Sequence, residues 1–475
     1  MPRVTTRVVI IGGGPGGYEA ALVASQLGGE VTLVDTDGLG GSAVLTDCVP
    51  SKTLIATAEV MTGVAESTEL GIRFGGKDAL DAETVVHVDL AAVNQRVLEL
   101  AGRQSADINR RLTDQGVTIL LGRGRLEGKE RVIAETADGD VALDADVILI
   151  ATGAHPRVLP DAVPDGERIL TWTQVYALDE LPEKLIVVGS GVTGAEFASA
   201  YDALGAEVVL VSSRDRVLPG EDADAAQVLE DVFERRGLTV LSRCRAESVT
   251  RDGDRVVVRL NDGREIVGSH CLLAVGSIPN TAEMGLEEAG VALDRGGFIV
   301  ADKVSRTSAR GVYAAGDCTG VLMLASVAAM QGRIAMWHAL GDAVAPLDLK
   351  IVSSNVFTAP EIATVGMSQA QADVAVPKVA TVKLALQGNP RAKMQGLREG
   401  FVKVFCLPVT GIVVGGVVVA PRASELIYPL AIAVSQRLTV DQVAGSFTVY
   451  PSVSGSLAEA ARQLHLHGND LVPKE

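Results

Sequence analysis

Two glycine-rich turns hold the residue types whose spacing most directly implies chemistry. The first, Gly12-Gly13-Gly14-Pro15-Gly16-Gly17, lies between the apolar run Val8-Val9-Ile10-Ile11 and a helix-forming stretch from Tyr18 to Ala24. Gly12, Gly14 and Gly17 keep the Gly-x-Gly-x-x-Gly spacing, and Asp35 closes a second apolar run about twenty residues on, which is the dinucleotide fingerprint. Glycines let the backbone approach a pyrophosphate at a helix N-terminus, and the acid accepts hydrogen bonds from a ribose. The second turn, Gly189-Ser190-Gly191-Val192-Thr193-Gly194, sits in the same context, and Gly12 to Asp35 spans the same interval as Gly189 to Ser212. Two sites at matching offsets imply two dinucleotides on one chain.

One aligned position selects the second cofactor. Where the first site has Asp35, the second has Ser212, followed by Ser213, Arg214, Asp215 and Arg216. A carboxylate there would repel the 2′-phosphate of NADPH; serine removes the repulsion and arginine offers a forked donor. One charge-assisted contact is worth roughly 1.5–3 kcal/mol, a tenfold to hundredfold change in affinity. NADPH is expected to be accepted and NADH used less well. Alternatively, Asp215 neutralises an arginine and both remain solvated loop charges.

The segment from Gly40 to Lys52 resembles the active-site helix of the flavoprotein disulfide reductases, the family of lipoamide dehydrogenase and glutathione reductase. There it carries two cysteines with four residues between them, then a residue, Pro, Ser and Lys. Cys48, Pro50, Ser51 and Lys52 match, but Ala43 stands at the first cysteine. Asp146 to Gly153, closing on Ala-Thr-Gly, resembles the family's crossover out of its first nucleotide domain, and Cys271 to Gly276 echoes it. Gly311 to Cys318 resembles the second flavin motif. The resemblance implies FAD contacts from Gly12, Gly14, Gly17, Asp35, Gly41, Ser42, Lys52, Thr152, Gly153 and Gly316. It adds Asp317 on the ribityl chain, with Leu324 and Ala325 along the isoalloxazine. For the nicotinamide nucleotide it implies Gly189, Gly191, Gly194, Glu196, Ser212, Ser213, Arg214 and Gly276. Lys52 and Glu196 match the ion pair beside flavin N5, where hydride arrives. Cys48 matches the thiol facing the ring, and a helix N-terminus would favour its thiolate.

The family's reaction also needs a histidine and an orienting glutamate from the C-terminal domain. Tyr450 and Gly455 occupy those places, and His465 and His467 lie too far along for a register slip. A tyrosine, with an ordinary pKa of about 10, accepts protons poorly at neutral pH. Interchange thiol, base and orienting acid are therefore missing together, and disulfide reduction is not expected. The expectation is hydride transfer from nicotinamide to FAD, then electron transfer to a small acceptor, a quinone, with Tyr450 as a proton donor. Three alternatives stay open: transhydrogenation between NADPH and NAD, peroxide or oxygen reduction at Cys48 as a single sulfenic-acid centre, and a non-catalytic redox-sensing flavoprotein.

Positioning these residues requires an α/β, glutathione-reductase-like fold: two Rossmann-type dinucleotide domains plus an α+β C-terminal interface domain. The expected bounds are 1–153 for the first part of the FAD domain, 154–280 for the NAD(P) domain, 281–345 for the FAD return segment and 346–475 for the interface domain. That last domain implies a head-to-tail homodimer. A helical pattern runs from about Leu90 to Gln115, and short alternating strands follow to about Leu143. The length of 475 residues accommodates two to four cores. Fifty-one glycines and 3% aromatic residues favour tight strand-to-helix turns over a β-sandwich. A net charge of -17 argues against non-specific nucleic-acid binding. Five scattered cysteines suit reduced thiols in a cytoplasm better than a secreted disulfide framework. The first strand begins by about Arg7, leaving no room for a signal peptide, and the apolar run from Gly411 to Ala420 is too short to span a bilayer. No metal site is expected.

Overall fold

A computed structural model describes residues 5–72 and 86–465. The first sheet has seven strands in the order Val312–Ala314, Val147–Ile150, Arg7–Ile11, Glu30–Asp35, Thr118–Leu126, Arg131–Thr136 and Gly139–Asp144. The first five pair in parallel and the last two add antiparallel. Val147–Ile150 is buried throughout, which explains its unbroken apolar run: a central parallel strand is covered on both faces. The edge strand Val312–Ala314 arrives only after the chain has built a second sheet elsewhere.

That second sheet is parallel, in the order Thr239–Leu241, Glu207–Val211, Lys184–Val188, His270–Leu273 and Ile169–Thr171. Antiparallel strands Ala154–Pro156 and Ser277–Pro279 carry the chain out of the first unit and back. A third, antiparallel sheet runs Ser353–Val356, Glu361–Gly366, Val413–Ala420, Phe401–Cys406 and Ala380–Ala385.

Two helix contacts position the site. Helix Pro15–Gln26 lies on Ala325–Ala339 so closely that a Cβ at Gly332 would stand 2.0 Å from the Gly16 carbonyl oxygen. Helix Cys48–Glu66 drives Leu54, Ile55 and Ala58 into a core shared with Phe197 and Tyr201 of Val192–Leu204 and with Val356, Ile362 and Phe401 of the third sheet. Full burial of a large apolar side chain contributes about 1.5–3 kcal/mol, so this wedge ties the helix carrying Cys48 to both other units. The helix read from about Leu90 to Gln115 spans Leu90–Asp114, with the Asp89 side chain capping Ala92 N. Among the described residues no helix is long and apolar enough to cross a membrane.

Candidate active site

The first glycine turn opens onto a cleft of about 860 Å3, within the size range of small-molecule sites. Gly12 and Gly14 line it; Gly17 does not, because its hydrogen faces the Gly12 carbonyl oxygen, 1.8 Å from where a Cβ would sit. Gly17 therefore holds the helix against the strand instead of touching a ligand. Asp35 accepts from Gly13 N at 2.6 Å, Gly38 N at 2.7 Å and Asp37 N at 2.9 Å. A carboxylate offers about four lone-pair sites, so capacity for a ribose hydroxyl remains. Gly41 (φ 56°) would place a Cβ 2.8 Å from Gly14 Cα, and Gly41, Ser42 and Ala43, on the short helix Gly41–Leu45, line the same cleft.

The opposite wall comes from three distant segments. Thr152 Oγ1 donates to the Asn280 carbonyl at 2.7 Å, and Asn280 Nδ2 donates to the Thr152 carbonyl at 2.8 Å, fixing Thr152 and Gly153 at the linker. Gly316 N donates to Gln331 Oε1 at 2.8 Å. Burial, and then nearby Asp47, push the Asp317 carboxyl up to about 6. Met323 and Ala325 belong to this wall and Leu324 does not. Leu324 is the extended N-cap (φ -130°, ψ 130°) of helix Ala325–Ala339.

Lys52 lies one helical turn beyond Cys48 and meets Glu196 across the unit boundary, Nζ to Oε2 at 2.7 Å. The other Glu196 oxygen accepts from Phe357 N at 2.9 Å, and Lys52 Nζ stands 4.9 Å from the Phe357 ring centroid. Burial opposes the Lys52 charge, but the attraction and hydrogen bond of Glu196 outweigh it and raise its pKa. Cys48 behaves opposite to expectation. Although it opens the helix, burial and then the Asp47 carboxyl push its thiol up to about 12. Desolvation penalises the charged form more than the helix terminus favours it, so the thiol stays protonated.

In the second unit Gly189 (φ 113°) donates its N–H to the Val211 carbonyl at 2.9 Å, and a Cβ at Gly194 would stand 1.8 Å from the Gly189 oxygen. Gly191 is exposed at the tip, and Gly276 (φ 94°) turns the chain after His270–Leu273. Ser212 is fully buried; its Oγ lies 2.6 Å from Ser190 Oγ and accepts from Arg214 N at 3.1 Å. Its hydroxyl is thus used by the turn, which corrects the reading of Ser212 as a direct ligand contact. Ser213 and Arg214 are exposed beside it, and buried Arg216 Nε has no partner among the described residues.

Tyr450 is exposed and lies outside the cleft of its own chain. His465 sits 2.5 Å from an Asp441 carboxylate oxygen, and His467 is outside the described residues. Among the described residues no His, Cys, Asp or Glu group could hold a metal ion. Four contributors escaped the sequence reading: Asn280, Phe357, Tyr176 and Asp47. Asp47 lines the cleft, and burial raises its carboxyl pKa against the pull of Lys52. Its one local signal is an acid at a helix start with proline at the third helical position.

The profile of the pyridine nucleotide-disulphide oxidoreductases matches residues 6–332, and the dimerisation domain of the same group matches residues 352–461. A Mycobacterium tuberculosis protein named NAD(P)H dehydrogenase (quinone) is 54% identical over 474 residues, covering 98% of this chain and 95% of that protein. A dihydrolipoyl dehydrogenase of Chlorobaculum parvum is 34% identical over 459 residues, covering 96% of each. The crystal structure of LpdA from M. tuberculosis matches with a TM-score of 0.92 at 53% identity, over 97% of this chain and 100% of that one.

Proposed function

The chain belongs to the pyridine nucleotide-disulphide oxidoreductase family, and from that premise we propose that it is an FAD-dependent NAD(P)H dehydrogenase that passes electrons from flavin directly to a quinone. The observation that carries this reading is the cleft's sulfur content. It presents one thiol, Cys48, held protonated, with Ala43 where a second would have to stand. A dithiol relay cannot form from one sulfur, so the acceptor must meet the flavin itself. The full-length mycobacterial relative, named as a quinone dehydrogenase, supports that choice of acceptor.

The cleft fits FAD on its own chemistry: a glycine turn open to pyrophosphate, Asp35 with accepting capacity left, and buried Asp317 for ribityl hydroxyls. Bound FAD would supply the two-electron carrier between nicotinamide and acceptor. The Gly12 N–H is spent on the Val34 carbonyl at 2.8 Å, so Gly12 would serve by letting the backbone approach the pyrophosphate and Gly14 by its position at the helix start, while Thr152, Gly153, Gly316 and Ala325 shape the channel. Lys52, kept charged by Glu196, provides a fixed positive group where negative charge would arrive, and such pre-organised charge needs no rearrangement during reaction. Gly189, Gly191 and Gly194 would seat the nicotinamide nucleotide, with Ser213 and Arg214 favouring NADPH over NADH. The bounds 1–153, 154–280, 281–345 and 346–475 describe the proposed domains, the last pairing two copies and bringing Tyr450 towards a partner's cleft. Five unpaired thiols suit a cytoplasmic location.

Anaerobic stopped-flow mixing tests the proposal. NADPH should bleach the flavin, and the reduced enzyme should then be reoxidised faster by a benzoquinone than by an NAD analogue, oxygen or lipoamide. Fast lipoamide turnover, or an NAD analogue outrunning the quinone, would overturn it.

A further inference from the structure

We propose that Asp47 is the catalytic acid that gives the acceptor its second proton, an inference that rests on the quinone-reductase reading. A quinone becomes a hydroquinone by gaining two electrons and two protons. Hydride from the nicotinamide accounts for both electrons and one proton. One further proton must reach the acceptor, and Asp47 supplies it: the Asp47 O–H bond breaks, an O–H bond forms on the acceptor oxygen, and the carboxylate is reprotonated by solvent.

The geometry releases Asp47 for this work. It is the N-cap residue of Cys48–Glu66, a position where an aspartate ordinarily accepts from the second or third helical N–H, yet its side chain caps nothing. Pro50 occupies the third helical position and has no N–H to offer, and among the described residues the Asp47 carboxyl has no hydrogen-bond partner. It instead lines the cleft beside Cys48. The ionisable groups in electrostatic range of Asp47 come from four elements: Cys48 and Lys52 on its own helix, Glu196 on Val192–Leu204, Asp317 on the turn Asp317–Thr319, and Tyr176 on Val175–Ala177. Lys52 is the only cation among them, and it is already paired with Glu196 at 2.7 Å. Burial first, and Glu196 after it, raise the Asp47 pKa against the pull of Lys52, the direction a proton donor needs. The Tyr176 hydroxyl, buried and without a partner among the described residues, adds an unengaged O–H to the same group.

The test compares Asp47→Asn and Asp47→Glu holoenzymes with the wild type in separate half-reactions. General-acid catalysis is worth about 10²–10⁴-fold. In Asp47→Asn, benzoquinone-driven reoxidation should fall at least about a hundredfold, while flavin reduction by NADPH, which needs no added proton, changes far less. Wild-type reoxidation should slow as pH rises through Asp47 deprotonation; the Glu variant should restore both rate and pH profile, and the Asn variant should lose the profile. Infrared spectra of the oxidised enzyme at neutral pH should show a protonated-carboxyl band that Asp47→Asn removes, a readout independent of turnover. Near-wild-type reoxidation in the Asn variant, or no such band, overturns the proposal. If the wild type fails to reduce quinone, the quinone reading falls and the acid role with it; if quinone is reduced but the Asn variant reoxidises normally, the acid role alone falls.

Discussion

Replacing Glu196 with glutamine removes one charge from the Lys52 pair while a side-chain oxygen remains to accept from Phe357 N. Side-chain exposure is 4% at Glu196 and 29% at Lys52. Removing one partner of a buried pair costs about 3–5 kcal/mol, and the residual exposure of Lys52 places this case near the lower end, about 3 kcal/mol. A second route limits the penalty, because the stranded ammonium can release its proton. From an ordinary lysine pKa of about 10.4, at about 1.36 kcal/mol per unit, release costs about 6 kcal/mol at pH 6 but only about 1.9 kcal/mol at pH 9. In the wild type the Lys52 pKa is raised, because Glu196 outweighs burial. Its stabilising contribution is therefore complete below the unfolded-state value and lost only as pH climbs through the raised folded-state value, above the range of interest. The stability gap between wild type and Glu196→Gln should accordingly be about 3 kcal/mol at pH 6 and narrow below about 2 kcal/mol at pH 9. Urea unfolding of the holoenzymes at both pH values measures the gap, and stopped-flow reduction by NADPH should slow most where Lys52 loses its proton. An equal gap at pH 6 and pH 9 would refute the assignment of Lys52 as a charge held by Glu196.

Gly332→Ala should force helix Ala325–Ala339 off the Gly16 carbonyl, where a Cβ would stand at 2.0 Å; the expected outcome is purification with markedly less flavin per chain, read from the visible absorbance. Arg214→Ala should lower the kcat/KM ratio of NADPH to NADH by about tenfold to a hundredfold, and an unchanged ratio would point to Arg216. Native Cys48, with its thiol pushed up to about 12, should react with iodoacetamide at pH 8 on the order of a thousandfold more slowly than a free cysteine, recovering ordinary reactivity in urea, as mass spectrometry of the labelled peptide would show.

Much of the architecture is legible in short windows. The runs Val8–Ile11 and Val147–Ile150, the glycine turns and Asp35 each announce their roles within a few residues, since strand burial and turn geometry are local demands. The departures are legible too, because Ala43, Tyr450 and Gly455 can be read against a fixed spacing. Ser212 shows where such reading stops. Its alignment with Asp35 is real, but a side chain shorter than aspartate turns inward to Ser190, and no spacing reveals which partner a hydroxyl will choose.

Sequence alone determined that this chain carries two dinucleotide turns, one cysteine in its Cys-x-Pro-Ser-Lys segment and no histidine at the base position, because residue type and interval suffice for each. Tertiary structure decided which of those groups carry charge. Lys52 stays an ammonium because residue 196 folds against it, and Cys48 keeps its proton because burial and then the Asp47 carboxyl disfavour a thiolate. Asp47 gained its place in the site the same way, with Asp317 nearby and Pro50 offering no N–H to cap. Solvation and field at a buried atom depend on segments hundreds of residues apart, and only the folded packing brings them into range.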